Sequence, residues 1–191
     1  MPRKKPSKPY YVSSQRQLLA LASPGREDII DAVGVLGPSS VPEIAQFLGR
    51  PRNALYYHIT ALRDRGLLIE TTVQREGIKT TSLYDLPGRP MIARYDLSSP
   101  GIRGAVVRIG RRRFRTGERG FVRACKPDIA VTQGPMRNLW VSHWKGWLTD
   151  AQLKEANVLF NKIVDLYGRA GDADKAGRSL HEITFAIAPV V

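Results

Sequence analysis

The chain has 191 residues, 42% hydrophobic and 25% charged, a globular composition long enough for one large domain or two small ones. No apolar run reaches the ~18–20 residues of a membrane span, Leu18–Ala22 is too short for a secretory signal, and the single Cys125 makes neither an internal disulfide nor a multi-cysteine metal site. The expected compartment is the cytoplasm, with no membrane partner. Thirty Lys+Arg against 17 Asp+Glu give a net charge of +13, a balance that favours polyanions, nucleic acid first.

In chain order, residues 1–12 read as a flexible basic arm, carrying Arg3, Lys4 and Lys5 as candidate phosphate contacts or as mere solubilising charge. Ser23-Pro24 is an N-cap followed by proline at the first helical position, and Ile29, Ile30, Val33 and Leu36 form the face of a helix stopped by Gly37-Pro38. Ser40-Val-Pro-Glu43 is a capping box opening a short helix, with Gly49 as its exit. A third helix spans about 51–65, with Gly66 as a left-handed cap. Residues 67–74 and 79–86 read as two strands joined by a turn at Arg75–Ile78. Pro/Gly/Ser clusters at 86–90 and 98–101 mark a domain edge.

Helix, short helix, turn, longer helix and hairpin in that order make a winged helix-turn-helix over residues 13–97. The stretches 21–30, 41–49 and 56–62 with Gly66-Leu-Leu68 resemble, in register, the helices of ArsR-type winged-helix transcription regulators over roughly residues 18–86. That resemblance implies a homodimer reading two half-sites, and repression by occlusion. It does not extend to metal sensing, because the cysteine thiolates of metal-sensing members are absent and Cys125, His58, His143 and His181 have no ligand spacing.

Within the third helix, Leu55, Ile59 and Leu62 share a core-facing stripe. Arg52, Asn53, Tyr56, Tyr57 and Thr60 lie on a polar face and are the candidate DNA-reading residues. Arginine offers a bidentate fork to guanine and asparagine one to adenine, and early positions of a recognition helix reach base edges. Tyr56 or Tyr57 could instead pack under the wing with only its hydroxyl outside. Arg75 and Lys79 flank the turn of a wing at about 74–80, placed for phosphate or the minor groove. His58 is read as a hydrogen-bonded packing histidine.

Residues 98–191 are expected to form a small α+β domain for dimerisation or ligand sensing, giving an α+β chain overall. Gly101–Arg115 reads as a helix, with a short strand at 105–109 as the alternative; 138–145 and 182–188 read as strands. Thr149-Asp-Ala-Gln152 is a second capping box, opening a long amphipathic helix that ends at Gly168. Trp140, Trp144 and Trp147 are read as core, as subunit contact or as the lining of an effector pocket. Arg103–Lys126 holds nine basic residues and one acid, either a solvated helix face or a nucleic-acid contact. No phosphate loop, catalytic triad signature or metal cluster is visible, so no enzyme activity, cofactor or metal is expected. The expected function is sequence-specific binding of double-stranded DNA; the alternatives are non-specific nucleic-acid coating, RNA binding, or protein docking.

Overall fold

The structure, a computed structural model, describes residues 8–76, 79–170 and 176–190. Strand β1 (Tyr10–Val12) pairs in parallel with β5 (Met91–Ala93), Tyr10 opposite Met91 and Val12 opposite Ala93. Residues 10–12 are therefore part of the fold, not of the expected basic arm. Val12 is fully buried, and an apolar side chain with a sheet partner cannot remain in a solvated tail.

Helix α1 (Gln15–Leu21) starts at Ser14, whose side chain accepts from the Gln17 N–H. Helix α2 (Pro24–Leu36) begins on the extended Ser23 with Pro24 in its first turn, although the Ser23 hydroxyl makes no capping bond. Strand β2 (Ser39–Ser40) leads straight into α3 (Val41–Leu48). There the capping box is closed: Ser40 N donates to Glu43 Oε2 at 2.7 Å, and Glu43 N donates to Ser40 Oγ at 3.5 Å. Gly49 ends α3 in the left-handed region at φ +62°.

Helix α4 (Asn53–Arg63) is two residues shorter at each end than expected. Gly66 at φ +65° turns the chain so that Leu67 N reaches back to Leu62 O at 3.0 Å, the left-handed closure that glycine permits. Strands β3 (Ile69–Glu76) and β4 (Lys79–Asp85) form the antiparallel wing, with Glu76 opposite Lys79 and an irregularity between Glu70 and Thr72. With β2 on the far edge of β4, the sheet order is β2-β4-β3.

Helix α5 (Pro100–Ala124) runs for 25 residues from a Ser99 cap, which settles the helix-or-strand alternative at 105–109 as helix. Its Ala105 and Ile109 join Leu18, Ile29, Val33, Ile44, Leu55, Leu62 and Leu67 in one core. The compact unit thus runs from β1 into the first half of α5, and the domain edge expected at 97/98 lies inside it. Helix α6 (Asp150–Ala170) opens on the expected capping box, Thr149 N donating to Gln152 Oε1 and Gln152 N to Thr149 Oγ1, and continues two residues past Gly168.

The chain is α+β, a winged helix-turn-helix followed by a C-terminal part. All strands found among the described residues lie before residue 94. The two strands expected at 138–145 and 182–188 are not formed. A strand needs a neighbour along its backbone, and among the described residues neither segment has one beyond the turn bonds from Asn138 N and Leu139 N to Val131 O. Asn138 instead folds its own loop, accepting from Val131 N and donating to Ile129 O. Residues 182–185 lie along α5 and α6, with Thr184 against Gly117, Glu182 against Gly120 and Phe185 stacked on Phe160 at 4.6 Å.

Candidate nucleic-acid interface

Helix α4 is two-sided. Leu55, Ile59 and Leu62 are buried, while Arg52, Asn53, Tyr56, Tyr57 and Thr60 are all exposed. The structure thus brings the five predicted α4 residues onto one open surface at the start and outer side of the helix. Tyr56 and Tyr57 are 55% and 71% exposed, so neither packs beneath the wing. Arg52 occupies the N-cap position in a helical conformation, without a side-chain capping bond, and its guanidinium is left for another partner.

The wing backbone places Arg75 opposite Thr80 and Lys79 opposite Glu76, which sets both predicted residues at the outer end of the hairpin. Arg3, Lys4 and Lys5 fall outside the described residues.

His58 lies between the two faces of α4, with its ring against Gly25 of α2. A Cβ at position 25 would sit 2.9 Å from His58 Nε2, so a side chain there would have to push the imidazole ring aside. The expected hydrogen bond is not there: Nδ1 is buried with no partner among the described residues. Burial first, then the nearby Arg26 and Arg50 guanidiniums, hold its pKa below the usual histidine range, so a buried ring nitrogen without an acceptor stays neutral.

A charge cluster behind α4 was not foreseen. Glu27, nearly fully buried in the first turn of α2, receives two arginines of α5: Arg113 Nε donates to its Oε1 at 2.8 Å, and Arg112 Nε lies 2.8 Å from its Oε2, out of line for a hydrogen bond. The adjacent Asp28 is shared, Arg112 donating to Oδ1 and Arg50 to Oδ2. Arg50 immediately precedes the recognition segment Pro51-Arg52-Asn53. One acidic pair therefore ties the C-terminal helix, α2 and the entrance of α4 together. Its partners are 84 and 86 residues apart in sequence, and no local pattern signals such a pairing.

The tryptophans stand elsewhere. Trp140 is held under the Arg137 guanidinium at 3.7 Å, Trp144 is 88% exposed and Trp147 fully exposed. They are not core, and side chains this open cannot enclose a ligand within one copy. A shallow, solvent-open depression lined by Leu36, Pro38, Ser39, Glu43, Gln46 and Phe47 includes none of them. Among the described residues no group of His, Cys, Asp and Glu is arranged to hold a metal ion, and no helix is long and apolar enough to cross a membrane.

Residues 21–71, from the end of α1 into β3, match the family described as a helix-turn-helix domain. That segment is a helix-turn-helix domain of the transcription-regulator type. The match takes in Arg50, Arg52 and the whole exposed face of α4, and stops before the wing tip and the C-terminal helices. No curated protein matches the chain. In a helix-turn-helix domain the second helix of the motif is the one presented to DNA, and here that helix is α4.

Proposed function

We propose that the chain is a sequence-specific, double-stranded-DNA-binding transcription regulator of the ArsR type, acting as a homodimeric repressor. Helix α4 enters the major groove, and the β3–β4 wing rests on the backbone or in the minor groove. The observation that carries this reading is the exposed α4 face, where a guanidinium and a carboxamide stand at the first positions of the helix with two tyrosines and a threonine behind them. Arginine and asparagine are the side chains that read guanine and adenine bidentately, and the helix entrance is where base edges are reached. A binding role, without catalysis or cofactor, suits a surface built of hydrogen-bond donors and aromatic edges.

The homodimer is supported by the apolar surface of the C-terminal part. Ile129, Met136, Val141, Trp144, Trp147 and Leu159 are all exposed, and a concentration of large exposed apolar side chains marks an interaction surface. A second copy would cover it and would set two α4 helices for a symmetric site.

The test is selection of duplex DNA from a random pool by the purified chain at ~150 mM salt, followed by affinity measured against salt on the selected sequence. A two-fold symmetric sequence bound far more tightly than scrambled DNA is expected. Binding of every duplex alike, with a steep salt slope and no enriched sequence, would replace this reading with charge-driven coating of nucleic acid.

A further inference from the structure

Helix α5 carries a feature that base reading by α4 does not use. Arg108, Arg112, Arg115, Arg119 and Arg123 recur at helical spacing and share one face, with Arg111 on its edge. The same side of the helix begins in the core at Ala105 and Ile109, so the stripe continues the packed face outward as α5 leaves the domain.

Arg112 fixes the direction of this stripe. It docks on Glu27 and Asp28, and Asp28 is the carboxylate that also holds Arg50 at the entrance to α4. The arginine face therefore points to the side of the domain on which the recognition helix begins. Arg50 and Arg112 meet on Asp28, and the outer arginines of α5 continue the basic face from Arg112 beyond the acidic group Glu27, Asp28 and Asp31.

The other arginines are not consumed by the fold. Arg108, Arg111, Arg115 and Arg123 have no carboxylate within ion-pair distance among the described residues, and Arg119 makes only a 3.4 Å contact with Thr116 Oγ1. Glu118 is the one acid in the helix. Glu182 lies against Gly120 on the flank, paired with none of these arginines among the described residues. Like charges at i, i+4 destabilise a helix, and Arg108/Arg112, Arg111/Arg115, Arg115/Arg119 and Arg119/Arg123 are four such pairs. A polyanion laid along the face would turn this repulsion into attraction.

The spacing suits a phosphate backbone. Successive arginines of the stripe are separated by about 4.5–6 Å of helix rise, and every second phosphate of one DNA strand advances ~6.8 Å. From Arg108 to Arg123 the stripe is about 22 Å long, the length of several phosphates.

We propose that the arginine face of α5 is a second phosphate-binding surface, which follows the DNA backbone beside the segment entered by α4. The location of the partner rests on the reading of α4 given above; the anion-binding chemistry of the stripe does not.

The experiment uses the full chain and two duplexes, the selected site alone and the same site with about one helical turn (~10 bp) added on each side. For R115A/R119A/R123A on the longer duplex, the slope of log affinity against log salt should be shallower by about 2–3, at ~0.9 per phosphate lost. The loss should be equal on selected and scrambled sequence, and absent on the short duplex. R115K/R119K/R123K, which keeps the charge, should retain the slope and shows that loss of helix is not the cause. Equal slopes for wild type and the alanine triple on the longer duplex would overturn the proposal. So would an unchanged duplex slope together with weakened binding of single-stranded RNA of equal length. If Arg52→Ala leaves sequence preference untouched while the alanine triple still flattens the slope, the stripe stands and the reading of α4 falls.

Discussion

Arg52 and Lys79 carry the same charge and should fail in different ways. Arg52 stands exposed at the entrance of α4, where its fork can meet a guanine edge, whereas Lys79 opens β4 opposite Glu76 at the end of the wing. Arg52→Ala should cost about 1–3 kcal/mol on the selected duplex and relax one base position. Lys79→Ala should weaken all duplexes alike and flatten the salt slope by about 1. Equal losses on selected and scrambled DNA for Arg52→Ala would move that residue to backbone contact. His58 makes a separate prediction about stability. Its folded pKa lies below the ordinary 6.5, chiefly because the ring is buried and secondly because of Arg26 and Arg50. The unfolded chain therefore binds the proton more readily. The stability tied to the neutral ring is complete above the ordinary value and is lost as pH falls through the folded one. Urea unfolding between pH 8 and pH 5 should show this decline, and His58→Gln should reduce it. An unchanged profile in that variant would place the pH dependence on another group.

Between elements, the junction of α5 with α2 is a test of what a buried charge contributes. Glu27 is enclosed, while Arg112 and Arg113 keep 20% and 57% of their side chains in water. Removing both arginines strands a carboxylate out of water, at a cost of up to about 3–5 kcal/mol. Removing the carboxylate frees two arginines that can turn to solvent, so Glu27→Gln should cost about 1 kcal/mol. Urea unfolding of R112A/R113A against E27Q reads the difference directly. A larger loss for E27Q would mean that attraction, not desolvation, governs the contact. This junction also marks the limit of sequence reading. The winged helix was legible because its signals are local: Ser40 with Glu43, Ser23 with Pro24, Gly49 and Gly66 each act within one turn of chain. The exposed face of α4 followed from the spacing of its buried residues. Ser99-Pro100 repeats the Ser23-Pro24 signal and caps α5, yet the neighbouring glycine made it resemble a linker. In fact both glycines serve close approach, Gly25 to His58 and Gly101 to Gln15. The alternation in 138–145 and 182–188 was misleading because an alternating pattern forms a strand only where another strand lies beside it. The Glu27–Arg113 pairing links distant residues through the tertiary fold, so no local pattern could have indicated it.

The whole molecule is uneven in its burial, and that unevenness makes its own prediction. A well-packed core draws its members from Val12 to Ile109, whereas the chain beyond α5 presents three tryptophans and both flanks of α6 to water. Tryptophans bury on the order of 150–250 Å² each, so three of them could supply about 450–750 Å² of the ~800 Å² per partner of a standard interface. The chain beyond α5 is close to balanced, with eight Lys+Arg against seven Asp+Glu from residue 125 onward, and the basic excess of the C-terminal half lies on α5 itself. Two copies meeting there would bring little net charge together, so their association should rest on apolar burial. Salt should then separate association from DNA binding. Raising it should leave association of two copies little changed, while it weakens DNA binding by returning counterions to the phosphates. All tryptophan lies in residues 140–147, which makes intrinsic fluorescence a direct probe of this surface. Its emission should shift to the blue as protein concentration rises, over the same range at low and high salt, in step with a doubling of mass by light scattering. W144S/W147S should stay a monomer over that range, and should bind the selected duplex more weakly with a preference for a single half-site. A wild-type chain that remains a monomer, with red emission at every concentration, would remove the second copy from the reading and leave the apolar surface to a different protein.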